Sequence, residues 1–163
     1  MKIRRSTIED IPSIMEIYDI ARQSMRAGGN AVQWVNGYPS QALVEEDIAK
    51  GNHYVGEEDG AIIVAFSLVY GDDSTYAVIE GAWQNDEPYA TIHRIGSNGR
   101  RKGVLHETLE WCFSRINNIR IDTHKQNAPM LHLMEKEGFV RCGVIYVADG
   151  TPREAFQKKI QQA

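Results

Sequence analysis

Residues 95–105 of the chain read IGSNGRRKGVL, and this stretch decides the fold. A candidate strand at residues 89–95 runs into it, and residues 102–116 leave it with apolar side chains at helical spacing. Glycines let the backbone approach a ligand closely, and the first turn of a helix presents unpaired amide hydrogens at its positive dipole end. The stretch therefore reads as an anion-binding turn suited to phosphate.

Two well-known phosphate motifs do not match this turn. The glycines fall at positions 96, 99 and 103, which breaks the dinucleotide fingerprint, and no Gly-Lys pair completes a P-loop. An ordinary strand-to-helix connection with solvated basic side chains, at Arg100, Arg101 and Lys102, is the alternative interpretation. The turn alone does not separate that alternative from phosphate binding.

Composition and charge narrow the class of protein. The chain has 163 residues and a net charge of −4, so we expect one domain over residues 1–163 and no nucleic-acid partner. No secretory signal and no membrane-spanning apolar run is visible, and the five histidines lack metal-ligand spacing. Cys112 and Cys142 are far apart among apolar neighbours, which favours buried thiols. These features predict a cytoplasmic protein with no membrane partner and no metal.

Periodicity divides the chain into candidate helices and strands. The predicted helices are Glu9–Met25, a shorter one between Ser40 and Gly51, Lys102–Ile116 and Asn127–Glu137. The candidate strands are residues 2–6, His53–Glu57, Ala61–Tyr70, Tyr76–Glu80, Tyr89–Ile95, Asn117–Thr123, Phe139–Cys142 and Val144–Ala148. Antiparallel strands come first and a strand–helix–strand–helix–strand unit follows. This order predicts an α/β (α+β) fold, with a mixed, twisted sheet of about six or seven strands and four helices.

The residues around the turn resemble a known family. Arg100-x-x-Gly103-x-Leu105 is similar to the acetyl-CoA pyrophosphate loop of GNAT-type N-acetyltransferases, which usually reads Gln/Arg-x-x-Gly-x-Gly/Ala. One strand later, Asn127 opens a predicted helix that ends in Gly138-Phe139, and this resembles the next motif of the family. The opening of the chain, with Arg4 and residues 7–10 before an apolar helix, is similar as well. The resemblance spans essentially the whole chain and preserves the order of elements.

The resemblance implies a GNAT-like fold that takes acetyl-CoA as co-substrate. In this family, pantetheine inserts between the strand before the loop and the strand after it. By position, the backbone at Ile95 would bind pantetheine, and Asn127 would contact the pantetheine arm. The pyrophosphate would lie on the amides of the loop residues Arg100, Arg101, Lys102, Gly103, Val104 and Leu105.

Two residues depart from the family pattern. Leu105 stands where the family usually has Gly or Ala, and its side chain can avoid the phosphates only by turning into the apolar stripe of the helix. Met134 stands where many members place a tyrosine that protonates the departing thiolate.

Amine acetylation requires a base for the amine and an acid for the leaving group. Glu80 and His93 are the candidate bases, and Tyr146 is the candidate acid in place of Met134. Each has a structural alternative: a solvent-facing or salt-bridged Glu80, a core His93 and a half-buried strand tyrosine. Asp122 and His124 are weaker candidates. The aromatic side chains that could line an acceptor pocket are Trp34, Tyr38, Tyr76, Trp83 and Tyr89.

The predicted function is transfer of an acetyl group from acetyl-CoA to an amine by direct attack. The expected partner is a small-molecule amine or a peptide acceptor, and a homodimer stays open as a further partner. A GNAT-like module that binds acyl-CoA without turnover is the main alternative, because Leu105 and Met134 both depart from the pattern. An interaction protein that has lost the cofactor is a third reading.

Overall fold

The structure is a computed structural model that describes residues 1–161. Its helices are α1 (Ile11–Ala27), α2 (Gln41–Ala49), α3 (Val104–Phe113) and α4 (Ala128–Lys136). Its strands are β1 (Lys2–Arg5), β2 (His53–Glu58), β3 (Ala61–Tyr70), β4 (Glu80–Gly81), β5 (Ala90–Ser97), β6 (Asn118–Thr123), β7 (Val140–Tyr146) and β8 (Pro152–Lys159).

All the strands join one sheet in the order β1-β2-β3-β5-β6-β8-β7-β4. Every neighbouring pair is antiparallel except β5 and β6, which are parallel and are connected through α3. This crossover is the predicted strand–helix–strand unit. The mixed sheet and the four helices confirm the predicted fold class.

The parallel pair β5 and β6 separates soon after it begins. Only Ala90 with Ile119 and Thr91 with Arg120 are paired, although β5 continues to Ser97 and β6 to Thr123. On the side toward β6, the backbone of β5 beyond Thr91 therefore faces a cleft, while its other side still pairs with β3. Such an opening at the carboxyl ends of parallel strands is where α/β proteins usually bind ligands.

A bulge in β5 lies at this opening. The register between β3 and β5 shifts between Ala65 and Ser67, and Arg94 on β5 has a φ of +52°. A positive φ is uncommon for a residue with a Cβ and persists where surrounding contacts hold it. Here the Tyr18 hydroxyl donates to the Arg94 carbonyl at 2.8 Å, and the Arg94 guanidinium makes two bonds to Asp47.

Helices cover both faces of the sheet. The buried residues of α1 and α2 pack with Val55 and Ala65 on one face. On the other face, α3 and α4 pack with Tyr54, Phe66 and Ile92. Because neighbouring strand residues such as Tyr54 and Val55 point to opposite faces, β2 contributes to both layers.

The ends of the helices follow local chemistry that the sequence already indicates. The Ser40 hydroxyl accepts a hydrogen bond from the Leu43 amide at 3.1 Å, which caps α2. The side chain of Asp10 accepts from the Thr7 amide at 2.7 Å in the predicted capping arrangement.

Three strand predictions need correction. Residues 76–80 are not a strand: Asp73 caps a 3-10 turn at Ser74–Tyr76, Val78 is exposed, and only Glu80 and Gly81 pair with β7. Phe139–Cys142 and Val144–Ala148 are not two strands, because β7 runs through Gly143 from Val140 to Tyr146 with a register shift.

The last strand, β8, was missed. Its sequence PREAFQKK is mostly polar, yet Arg153 and Gln157 are buried in it. Buried polar residues hide the alternation that identifies a strand. With β8 included, the sheet has eight strands rather than six or seven.

None of the helices in residues 1–161 has the length and apolar character needed to cross a membrane.

Candidate functional site

A cavity of about 690 Å³ lies where β5 and β6 separate. The bulged part of β5 and the end of β6 form its floor. Its walls come from the α1–α2 connection, the segment after β3, the start of α4 and the β7–β8 turn. The lining residues used below are Gln33, Trp34, Tyr38, Asp73, His93, Arg94, Ile95, Asp122, Asn127, Asp149 and Arg153. We call this space the central cavity.

The glycine-rich turn connects β5 to α3 next to this cavity. Gly99 and Gly103 have φ values of +69° and +83°, a backbone region that favours glycine. Gly103 is the N-cap of α3, so the amides of the first helical turn have no acceptor within the helix. The turn therefore has the conformation that an anion-binding helix N-terminus needs.

The basic side chains of the turn differ in what they contact. Arg101 donates to both carboxylate oxygens of Glu58, at 2.7 and 2.8 Å, and also binds Glu107. Its side chain consequently fastens the turn to β2. Arg100 and Lys102 are exposed, so they are the two cations of the turn that face solvent.

The structure accommodates Leu105. Its side chain packs against the core cluster beneath α3, beside the buried residues Val104 and Leu109. A side chain that points into the core does not occupy the space above the helix N-terminus. Backbone amides at this position thus remain accessible despite the missing Gly or Ala.

Ile95 and Asn127 lie on the two sides of the cleft. Ile95 is part of the free stretch of β5 and lines the central cavity. The Asn127 side chain caps α4 by accepting from the Met130 amide at 3.3 Å, and it donates to Gln33 Oε1 at 3.0 Å. Asn127 is buried, so its side chain positions the start of α4.

Gln33 is a residue that sequence reasoning missed. Its Oε1 accepts from the Thr123 hydroxyl at 3.2 Å, the His124 amide at 3.3 Å and the Asn127 side chain at 3.0 Å. It thereby ties the α1–α2 connection to the end of β6 and the start of α4. No local motif marks a glutamine whose partners lie some 90 residues away in the chain.

His93 and Asp73 form a hydrogen-bonded pair in the cavity wall. His93 Nε2 lies 2.8 Å from Asp73 Oδ2, and the Asp73 Oδ1 accepts from the Thr75 amide at 2.9 Å. These bonds, led by the one from His93, lower the pKa of Asp73 to about 2. An ionised carboxylate only accepts hydrogen bonds, so Nε2 carries the proton and Nδ1 is the basic nitrogen. Within residues 1–161, Nδ1 has no hydrogen-bond partner.

Asp122 and Tyr76 form a second pair nearby. The Tyr76 hydroxyl donates to Asp122 Oδ2 at 2.6 Å. Burial raises the pKa of Asp122, opposed by this hydrogen bond and by the charge of Arg153. Burial also raises the pKa of Tyr76. Asp122 thus reaches the cavity with one oxygen already engaged.

Glu80 and Tyr146 lie outside the central cavity. Glu80 is exposed on the short edge strand β4. Tyr146 is 45% exposed at the end of β7, and a hydrogen bond with Glu80 raises its pKa. The structure therefore brings these two residues together but leaves both apart from His93.

Other side chains from the sequence analysis are divided between the cavity and the core. Trp34 and Tyr38 line the cavity, with their ring centroids 6.2 Å apart. Trp83 and Tyr89 instead enclose the Arg120 guanidinium, which lies 4.2 and 4.0 Å from their ring centroids. Met134 is fully buried in the core beneath α4.

Comparison with solved structures identifies the fold. The chain is 31% identical to a GNAT-family acetyltransferase from Streptococcus agalactiae, with a TM-score of 0.90 over 99% of this chain and 96% of the other. A GNAT-family acetyltransferase from Listeria monocytogenes matches at 16% identity and a TM-score of 0.73, covering 98% and 94% of the two chains. The ribosomal-protein-alanine N-acetyltransferase of Brucella melitensis matches at 20% identity and 0.59, covering 98% and 100%. The last two likenesses concern the fold alone.

Neither a family model nor a curated protein matched the chain. The match to the streptococcal enzyme nevertheless extends over nearly the full length of both chains at a high TM-score. It also agrees with the separated parallel strands and the glycine-rich turn at the start of α3. By this relationship, the chain belongs to the GNAT family of acetyltransferases.

Proposed function

We propose that this protein transfers the acetyl group of acetyl-CoA to an amine of a small molecule or a peptide. The observation that carries the proposal is the His93–Asp73 pair, which faces the cavity at the point where β5 and β6 separate. Direct attack of the amine needs one base near the cleft, and this pair supplies it.

The residues around the cleft fit acetyl-CoA. The edge of β5 beyond Thr91 is free of β6, so its peptide groups at Ile92–Ile95 can pair with the amides of a pantetheine arm. The glycine conformations at 99 and 103 and the first turn of α3 suit the pyrophosphate. When bound there, acetyl-CoA supplies an acyl carbon activated as a thioester.

His93 removes the proton that the amine must lose. An alkylamine has a pKa near 10, so in water at neutral pH it is almost entirely protonated and not nucleophilic. Nδ1 of His93 accepts this proton, and the ionised Asp73 stabilises the imidazolium through Nε2. Because the hydrogen bonds from His93 and Thr75 lower the pKa of Asp73 to about 2, its carboxylate is charged near neutral pH.

The proposal does not depend on a tyrosine at position 134. Thiols ionise with a pKa of about 8.5, so the departing thiolate leaves readily near neutral pH and can take its proton from water. Met134 lies in the core, and Tyr38 is one of the cavity residues with a hydroxyl, to which Arg94 donates at 3.3 Å. A cytoplasmic location belongs to the same proposal, since Cys112 and Cys142 are both free thiols.

Thermal shift and steady-state kinetics test the proposal. Acetyl-CoA should raise the melting temperature, and thiol release with a panel of amines should identify a turned-over acceptor. His93→Ala should then lower kcat by about 10²- to 10⁴-fold, as expected for loss of a general base. His132→Ala on the exposed face of α4 is the matched control and should keep the wild-type rate.

Three outcomes would contradict the proposal. If acetyl-CoA left the melting temperature unchanged, acetyl-CoA would not be the co-substrate. A thermal shift without turnover of any amine would favour the non-catalytic acyl-CoA-binding module. A loss of rate in Glu80→Gln together with a wild-type rate in His93→Ala would show that the base is Glu80 rather than His93.

A further inference from the structure

The central cavity contains a buried arginine whose charge has no ion-pair partner among the residues that the structure describes. Arg153, on β8, is 7% exposed and lines the cavity beside Asp122 and Asp149. Its Nη1 donates to the Thr151 hydroxyl at 3.0 Å and to the Pro152 carbonyl at 2.8 Å. These two bonds orient the guanidinium and leave the opposite edge, formed by Nε and Nη2, without an acceptor in the described part of the chain.

Arg94 shows the contact that the Nε–Nη2 edge of an arginine makes when a carboxylate is available. In the same cavity, Nε and Nη2 of Arg94 donate to the two carboxylate oxygens of Asp47 at 2.8 and 3.0 Å. Arg153 presents the same pair of donors, yet among residues 1–161 no carboxylate forms a salt bridge with it. Asp149 is connected to Arg153 only through Thr151, whose hydroxyl donates to the Asp149 carboxylate at 2.6 Å and accepts from Arg153 at 3.0 Å.

The free edge of Arg153 opens to the cavity, because Nε and Nη2 are not among the fully enclosed polar atoms that lack a partner. Removal of a charge from water is unfavourable, and pairing with hydrogen bonds is what offsets this cost. A guanidinium edge matches a carboxylate with two parallel hydrogen bonds. Burial raises the pKa of Asp122 and the charge of Arg153 opposes this rise, so the guanidinium acts inside the cavity. Arg153 and His93 both line this cavity.

We propose that the acceptor is a small molecule that carries both a primary amine and a carboxylate, with the carboxylate bound by the Nε–Nη2 edge of Arg153. The amine then faces His93, which lines the same cavity. This inference rests on the proposed acetyl transfer, since it names the substrate class of that site. A free α-amino acid and a longer ω-amino acid share this chemistry and differ in the spacing between the two groups.

Matched pairs of ligands test the carboxylate directly. The reaction products N-acetylleucine and N-acetyl-γ-aminobutyrate are compared with their carboxamides by calorimetry, with leucine, γ-aminobutyrate and their carboxamides as acceptors in kinetics. Charged hydrogen bonds of this kind should favour the carboxylate of at least one pair by about 10- to 100-fold. The pair with the larger ratio distinguishes the α-amino acid from the ω-amino acid.

Variants of Arg153 assign the preference to this residue. Arg153→Met should reduce the ratio to about threefold or less, and Arg153→Lys should retain part of it because the charge remains. The KM for acetyl-CoA should not change in either variant. Arg141→Met on neighbouring β7 removes an arginine that is paired with Glu154 and does not line the cavity, and it should keep the full ratio. Circular dichroism and melting temperatures show that each variant is folded.

The outcomes separate this inference from the proposed function. Turnover of amines with no preference for the carboxylate would overturn the inference and leave acetyl transfer standing. A carboxylate preference in binding that Arg153→Met abolishes, without turnover of any acceptor, would support the anion site and contradict the transferase. A raised KM for acetyl-CoA with an unchanged ratio would assign Arg153 to the co-substrate and overturn the inference.

Discussion

His93 and Asp73 show how a single residue acquires its chemical role from its partner. The strand position of His93 alone is compatible with a structural core histidine and with a base. The hydrogen bond to Asp73 Oδ2 at 2.8 Å selects the tautomer with the proton on Nε2. Asp73 in turn is held by the Thr75 amide and by its own amide, which donates to the Tyr89 hydroxyl at 2.8 Å.

Asp73→Asn should lower kcat/KM by about 10- to 100-fold, less than the loss of His93 itself. An amide cannot stabilise the imidazolium by charge, and it can favour the wrong tautomer by donating to Nε2. Steady-state rates of the wild type and the variant, measured under the same conditions, check this effect.

Asp72→Asn is the matched control for this prediction, since Asp72 is the exposed neighbour in the same loop. It should keep the wild-type rate. Equal effects of the two substitutions would show that the loop, rather than the hydrogen bond to His93, determines the rate.

At the scale of elements, the edge of the sheet depends on two glycines that face each other. β4 pairs with β7 through Gly81 and Gly143, whose φ values are +130° and +150°. A Cβ at Gly143 would lie 2.1 Å from the Glu80 carbonyl oxygen, and one at Gly81 would lie 2.2 Å from that of Cys142. Such a close backbone approach is available only to glycine.

Gly143→Ala should therefore lower the free energy of unfolding by about 1–3 kcal/mol, because the backbone must move to relieve the overlap. Urea denaturation measures the change. Gly60→Ala in the β2–β3 turn is the control, because its φ of +77° is also positive but its Cβ would meet no atom within 4 Å. If both variants lost the same stability, the backbone angle rather than the close approach would be the cause.

The elements also show where sequence patterns succeed and fail. Helices α1 and α4 and strands β2 and β3 follow clear periodicity and local caps, so their positions could be predicted closely. Strand β8 could not be recognised, because Gln157 and Arg153 are buried with polar partners such as Asn118 and Thr151. Residues 76–80 look apolar and strand-like, yet Val78 is 76% exposed there because the 3-10 turn redirects the chain.

At the scale of the whole molecule, one chain of hydrogen bonds joins distant elements to the bulge. The Ser6 hydroxyl donates to His53 Nδ1 at 2.7 Å, and His53 Nε2 donates to the Tyr18 hydroxyl at 2.8 Å. Tyr18 donates its single hydroxyl proton to the Arg94 carbonyl, so its oxygen accepts from His53 Nε2. His53 Nδ1 then carries no proton and accepts from Ser6. This chain requires a neutral His53, and burial lowers the pKa of His53 to about 4.

Stability should therefore fall as the pH decreases from about 6.5 to about 4, by up to about 3 kcal/mol from this residue. In this window the unfolded chain binds a proton at position 53 and the folded chain does not, so acid favours unfolding. His53→Gln should be less stable at pH 7 but should show a shallower decrease. Urea denaturation of the wild type and the variant between pH 7 and 4.5 gives the difference.

His106 also contributes to the pH dependence of stability, so the slope of the wild type must be compared with that of His53→Gln. Its hydrogen bond with Glu137 raises the pKa of His106, so its contribution is present at low pH and is lost as the pH rises, the opposite trend. His132→Gln, at an exposed position, should retain the wild-type slope. A wild-type slope in His53→Gln would show that His53 is not the titrating group.

The sequence by itself determined the strand–turn–helix at residues 95–105, the order of the elements and the resemblance to acetyl-CoA-dependent acetyltransferases. These features follow from local conformational preferences and short-range periodicity, which neighbouring residues specify. Only the tertiary structure decided that Asp73 meets His93, that Gln33 links β6 to α4, and that Arg153 has no ion-pair partner within residues 1–161. It also placed Glu80 on the edge strand β4 and Tyr146 on the neighbouring strand β7, outside the cavity. Contacts between residues far apart in the chain depend on how the sheet twists and separates, and no local pattern records that geometry.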